Sequence, residues 1–91
     1  MQRLDIKSVR YSKFNRSVMV DGRGVVLEIS QEALETLVNR KLSGEEAVLK
    51  VVEEIKRFTH LAERVPADDG KIQITTNILI NNGIFSETNG G

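Results

Sequence analysis

Ser43-Gly44-Glu45-Glu46-Ala47-Val48-Leu49-Lys50-Val51-Val52-Glu53-Glu54-Ile55-Lys56-Arg57-Phe58-Thr59-His60-Leu61-Ala62-Glu63-Arg64-Val65-Pro66 is the stretch on which the fold turns. At 100° per residue, Val48, Val51, Val52, Ile55, Phe58, Ala62 and Val65 form one stripe, and Glu46, Lys50, Glu53, Arg57, His60 and Arg64 lie across from it. The spacing predicts a single long amphipathic helix over about 44–65. Ser43 and Glu46 match a capping box at its start. Glu46–Lys50 and Glu53–Arg57 are i,i+4 pairs in the favourable order. Pro66 ends it, because a proline disfavours helical geometry at the residue before it.

Upstream, Ser17-Val18-Met19-Val20 and Val25-Val26-Leu27-Glu28-Ile29 flank Asp21-Gly22-Arg23-Gly24 and read as a β-hairpin. A four-residue loop pairs Val20 with Val25 and Val18 with Leu27 on one face, and Met19 with Val26 on the other. Shorter loops mix charge into the apolar face, so this register is expected, with both glycines supplying positive φ. Ser30 then caps a short helix from Gln31 to about Asn39, with Glu32 and Glu35 near its positive end and Arg40-Lys41 near its negative end. Downstream, Asp68-Asp69-Gly70 is a turn and Lys71 to Thr76 alternates as a strand. Thr76 or Asn77 is a candidate cap for a further helical turn. The order is β-β-α-α-β. The expected class is α+β, a small antiparallel sheet with a long amphipathic helix packed on one face.

The chain has 91 residues, enough for one domain, expected over 1–85 with a flexible tail at 86–91. Thirteen basic residues balance thirteen acidic ones, which excludes a polyanion binder acting through overall charge. With no cysteine, disulfides, zinc knuckles and thiol chemistry are excluded. Apolar runs fall short of the roughly 18 residues that cross a bilayer, and Met1-Gln2-Arg3-Leu4-Asp5 followed by Lys7 and Arg10 is not expected to act as a signal peptide. A cytoplasmic protein is expected. A domain of this size buries only about 60–65% of its unfolded surface. It has little concave surface to spare, which argues for binding or for a site shared between subunits.

The hairpin leading into Ser30-Gln31-Glu32-Ala33-Leu34, the helix end Leu61-Ala62-Glu63-Arg64 and the closing Asp69-Gly70-Lys71-Ile72-Gln73-Ile74-Thr75-Thr76 resemble the bacterial domain-of-unknown-function 1488 family. The likeness covers roughly residues 14–80 and rests on short structural motifs. It implies a small bacterial protein with a compact α+β fold, and it brings no activity and no catalytic residue.

The residues themselves offer little catalytic chemistry. His60 projects among Glu53, Lys56 and Arg64 on the solvated side of its helix, where a nucleophile–base arrangement has no pocket. Asp68-Asp69-Gly70 lacks the spaced ligands of a calcium loop, and Asp21-Gly22-Arg23-Gly24 lacks the Gly-Lys-Ser/Thr of a phosphate loop. Glu45-Glu46 and Glu53-Glu54 lie beside cations on a wet helix face, where neither carboxyl is desolvated for acid–base work. No enzyme activity, metal or cofactor is expected.

Two features point to partners. Residues 1–16 carry Arg3, Lys7, Arg10, Lys13 and Arg16 against Asp5 alone, with Tyr11 and Phe14 interleaved. Cations with aromatic faces grip single-stranded nucleic acid, although basic residues on an edge strand also block edge-to-edge pairing. Met19 and Val26 are expected on the sheet face away from the long helix, an apolar surplus that the Leu4/Ile6 segment, the Ile78–Phe85 tail or another subunit would cover. Burying that tail and ordering it are terms of similar size, so a docked, a mobile and an exchanged tail all stay open. The expected partners are a second copy of the chain through this surface or an unidentified protein. A nucleic acid reached through the basic segment is the alternative, and no membrane is involved.

Overall fold

The computed structural model describes residues 8–22 and 24–82. Eight elements follow one another: β1 (Ser8–Ser12), β2 (Ser17–Asp21), β3 (Val26–Ser30), α1 (Gln31–Val38), α2 (Gly44–Glu53), α3 (Ile55–Ala62), β4 (Lys71–Ile74) and α4 (Thr76–Asn81). The strands form one sheet in the order β1-β2-β3-β4. The first three are an antiparallel meander, and β4 lies parallel to β3. The architecture is mixed α/β, as the sequence suggests, but the sheet has a fourth strand and is not wholly antiparallel. A chain that leaves β3 and returns through three helices has the length to cross over and enter parallel, which a hairpin cannot do.

Alternation builds one face of the sheet. Val18, Val20, Leu27, Ile29, Ile72 and Ile74 are buried on it and pack with Ala33, Leu34, Leu37, Ala47, Val51, Phe58, Leu61 and Leu79 from the helices. Val9 and Tyr11 of β1 extend that face at the edge and are half-buried.

The hairpin register differs from the sequence reading. Val20 pairs with Leu27, Val18 with Ile29 and Met19 with Glu28. The slide is by two residues, so the same side chains stay on the core face. Two bonds fix it: the Gly22 amide donates to the Val25 carbonyl at 2.8 Å, and the Val26 amide donates to Gly70 O at 2.9 Å, tying the loop to the start of β4. Of the two loop glycines only Gly24 has positive φ, at 76°.

The long helix is two helices. They meet at Glu54, whose φ of −106° and ψ of 26° leave the helical basin. Lys50 and Arg57 flank the Glu54 carboxylate from either side of the joint, at 4.0 and 3.3 Å. The capping box is present: Ser43 Oγ accepts from the Glu46 amide and the Glu46 carboxylate accepts from the Ser43 amide, at 3.2 and 2.9 Å. Ser30 caps α1 as expected, through the Ala33 amide at 3.0 Å, and Asn39 ends it in the left-handed region. Thr75, one residue before the expected position, caps α4, whose Leu79 is buried.

Candidate functional site

The site grows from one packing choice. Tyr11, near the end of edge strand β1, turns its ring onto the first residue of α2, and only a glycine there admits it. A Cβ at Gly44 would lie 2.7 Å from Tyr11 Cδ2 and 2.8 Å from Cε2. The phenol donates to Gln31 Oε1 at 2.8 Å, and Gln31 Nε2 donates to the Leu42 carbonyl at 2.7 Å. The Leu42 amide in turn donates to Glu35 Oε2 at 3.0 Å. Edge strand, α1 and the loop entering α2 are thereby locked together.

Beside the ring lies a hollow of about 660 Å³ lined by Tyr11, Ser43, Gly44, Glu45, Val48 and Leu49, and its walls are mainly apolar. Leu49 is 65% exposed, and one turn further Val52 is 51% exposed. Two large aliphatic side chains standing in water beside an apolar hollow make this face the candidate site. The core-facing residues explain their position. Ala47 and Val51 of α2, with Phe58, Leu61 and Ala62 of α3, lie on one continuous stripe at 100° per residue. Glu45, Leu49, Val52 and Lys56 fall roughly opposite it, within about 60° of one another.

Val52 therefore leaves the buried stripe in which it was expected, and Leu49 joins it outside. A projection centred on Ala47 and Val51 carries this signal; one centred on the valines hides it. His60 is exposed, as expected.

The sheet face away from the helices is polar and internally bonded. Ser8 donates to Asp21 Oδ2 at 2.8 Å and Arg10 pairs with the same carboxylate. These contacts, the Ser8 bond first, hold Asp21 below its ordinary 3.8. Burial pushes the Glu28 carboxyl up, but bonds from Ser17 at 3.0 Å and Gln73 at 3.3 Å, with Lys71 at 3.5 Å, outweigh it and lower its pKa from the ordinary 4.5. Met19 sits in the same row between Arg10 and Glu28 and is only 8% exposed, while Val26 is half-buried. Met19 and Val26 thus lie on this face, as expected, among polar side chains that bond one another.

The basic segment is divided. Arg3 and Lys7 lie outside the described residues, as do Leu4, Ile6 and the end of the tail from Gly83. Arg10 is spent on Asp21, and Tyr11 on Gly44 and Gln31. Lys13 and Arg16 remain exposed on the turn between β1 and β2, on either side of Phe14, which is 97% exposed. Arg16 has φ of 51° and its carbonyl accepts from the Gln31 amide at 3.0 Å. A cleft of about 380 Å³ next to this turn brings Arg16 and Lys41 together with Glu32 and Glu35.

Among the described residues no group of three or more His, Asp or Glu is placed to hold a metal ion, and no helix is long and apolar enough to cross a membrane. No family model, curated protein or solved structure matches the chain.

Proposed function

We propose that this protein is a binding module without catalytic chemistry of its own, which docks a partner on the outer face of α2 and the adjoining hollow. The observation that carries the reading is the exposure of Leu49 and Val52, at 65% and 51%, beside apolar walls that the Tyr11–Gly44 contact holds open. A preformed apolar recess flanked by charge suits a protein surface: the apolar centre supplies affinity, and Glu45, Glu53 and Lys56 supply orientation. Membership of the bacterial 1488 family, resting on residues 14–80, belongs to the same proposal, as does a cytoplasmic setting.

A photo-crosslinking side chain at position 49, compared with one at Gln73 on the polar sheet face, tests the reading in living cells. Discrete adducts from position 49, lost when Val52 is also changed to Asp and absent from position 73, are expected. Adducts of equal yield from both positions, or none from either, overturn it.

Phe14 favours a second reading. An almost fully exposed aromatic ring flanked by Lys13 and Arg16 is suited to stacking on a base while the cations meet phosphates. On that reading a single-stranded oligonucleotide binds more tightly as salt falls, and Phe14→Ser with Lys13→Ser abolishes binding. No binding at low salt overturns it.

A further inference from the structure

Resting on the docking reading above, we propose that the occupant of the α2 face is a second copy of this chain, packed antiparallel about a two-fold axis midway between Leu49 and Val52. The stripe Glu45, Leu49, Val52, Lys56 has spacings of four, three and four residues, and is its own mirror image in spacing. It is also its own complement in charge. At equal rise per residue, an antiparallel copy sets Leu49 opposite Val52 and Glu45 opposite Lys56, and the two-fold axis makes each contact twice. Either parallel alignment or a slide by one turn loses the pairing of acid with base.

Three observations converge on this placement. Glu45 and Lys56 are exposed, and neither side chain makes an ion pair among the described residues. Glu53, the other acid beside the stripe, is already held by Lys50 at 3.2 Å and so adds little repulsion. The hollow then receives a natural occupant. Glu45 forms part of its rim, so a Lys56 from the second copy that reaches Glu45 lays its aliphatic stem along the wall made by Tyr11 and Val48. The stripe carries across the break at Glu54 in phase: projected at 100° per residue, the buried residues of α2 and of α3 fall on the same side. With only two large aliphatic side chains at the centre, the dimer is of the kind that dissociates on dilution.

Sedimentation equilibrium on the purified chain, with Glu45→Lys and Lys56→Glu variants, tests the proposal. The wild type is expected to approach the mass of two chains as concentration rises. Each variant replaces two attractive contacts by two repulsive ones and weakens association by at least about tenfold. An equimolar mixture of the two variants restores the dimer. At one end the introduced lysine of the first variant meets the introduced glutamate of the second, and at the other end the native pair re-forms. Both substitutions are on exposed helix positions, and circular dichroism confirms that each variant is folded. A wild type that stays one chain up to its solubility limit, or a mixture that stays monomeric while the wild type dimerises, overturns the pairing. In the first case, adducts of foreign mass from position 49 leave the docking face standing and remove only the second copy.

Discussion

The Tyr11 ring lies flat against the position where Gly44 lacks a side chain, within 2.7 Å of the missing Cβ. This contact joins the edge of the sheet to the start of α2 and shapes one wall of the hollow. Gly44→Ala is therefore expected to destabilise the domain by about 1–3 kcal/mol through overpacking, although alanine is the better helix former. Urea denaturation checks the value, and Tyr11→Ala in the same chain should recover part of the loss, since neighbours in contact do not add.

Tyr11→Phe keeps the ring and removes only the phenol that donates to Gln31. A loss of about 1 kcal/mol is expected. Tyr11 is the single tyrosine and the chain has no tryptophan, so the wild-type fluorescence reports this one site. Its emission should change on unfolding and on occupation of the hollow, and should ignore substitutions at Gln73.

The entry to α2 depends on Ser43 and Glu46. Ser43→Ala is expected to cost about 1 kcal/mol by orphaning the Glu46 amide. The Ser43 amide, first, and then Arg40 hold the Glu46 carboxyl below its ordinary 4.5. Glu46→Gln should weaken the cap at neutral pH and leave stability at low pH nearly unchanged.

Acid should unfold the protein through the same kind of linkage. Asp21, Glu28 and Glu46 all have lowered pKa values in the folded state, from 3.8, 4.5 and 4.5. The unfolded chain therefore takes up protons first as pH falls. Their contribution is fully present above the unfolded values and is lost as pH drops through the lower folded ones. Thermal melts should be flat at mildly acidic pH and then fall between about pH 5 and pH 2. Glu28→Gln should make that fall shallower.

Phe58 of α3 is completely buried in the core, so Phe58→Ala should cost about 3–5 kcal/mol. Leu49→Ala, on the outer face, should change the stability of the isolated chain by less than about 0.5 kcal/mol. Chemical denaturation of the two variants in dilute solution separates a core residue from a docking residue.

Much of this fold is legible in the sequence because its signals are local. Ser30 and Ser43 announce helix starts through their own side chains, and the alternation of Val18 and Val20 marks a strand without knowledge of the rest. The missed strand β1 alternates too, with Val9 and Tyr11 inward, but its serines and Arg10 make it read as a charged lead-in. Nothing local states that β4 runs parallel to β3; that follows from the length of the crossover. The break at Glu54 has neither glycine nor proline to announce it. The hollow is hidden for a related reason: it depends on Tyr11 meeting Gly44, two residues 33 positions apart whose contact no periodicity encodes.

The parallel joint between β3 and β4 has a consequence for synthesis. A ribosome delivers the three-stranded meander and all three intervening helices before the strand that lines Leu27 and Ile29 from the other side has emerged. Until then those two side chains have a vacant flank, and the outer edge of β3 offers itself to any extended peptide nearby. The last of the described strands to be translated thus covers the flank of β3 and takes over as the sheet's edge, a short one of four residues.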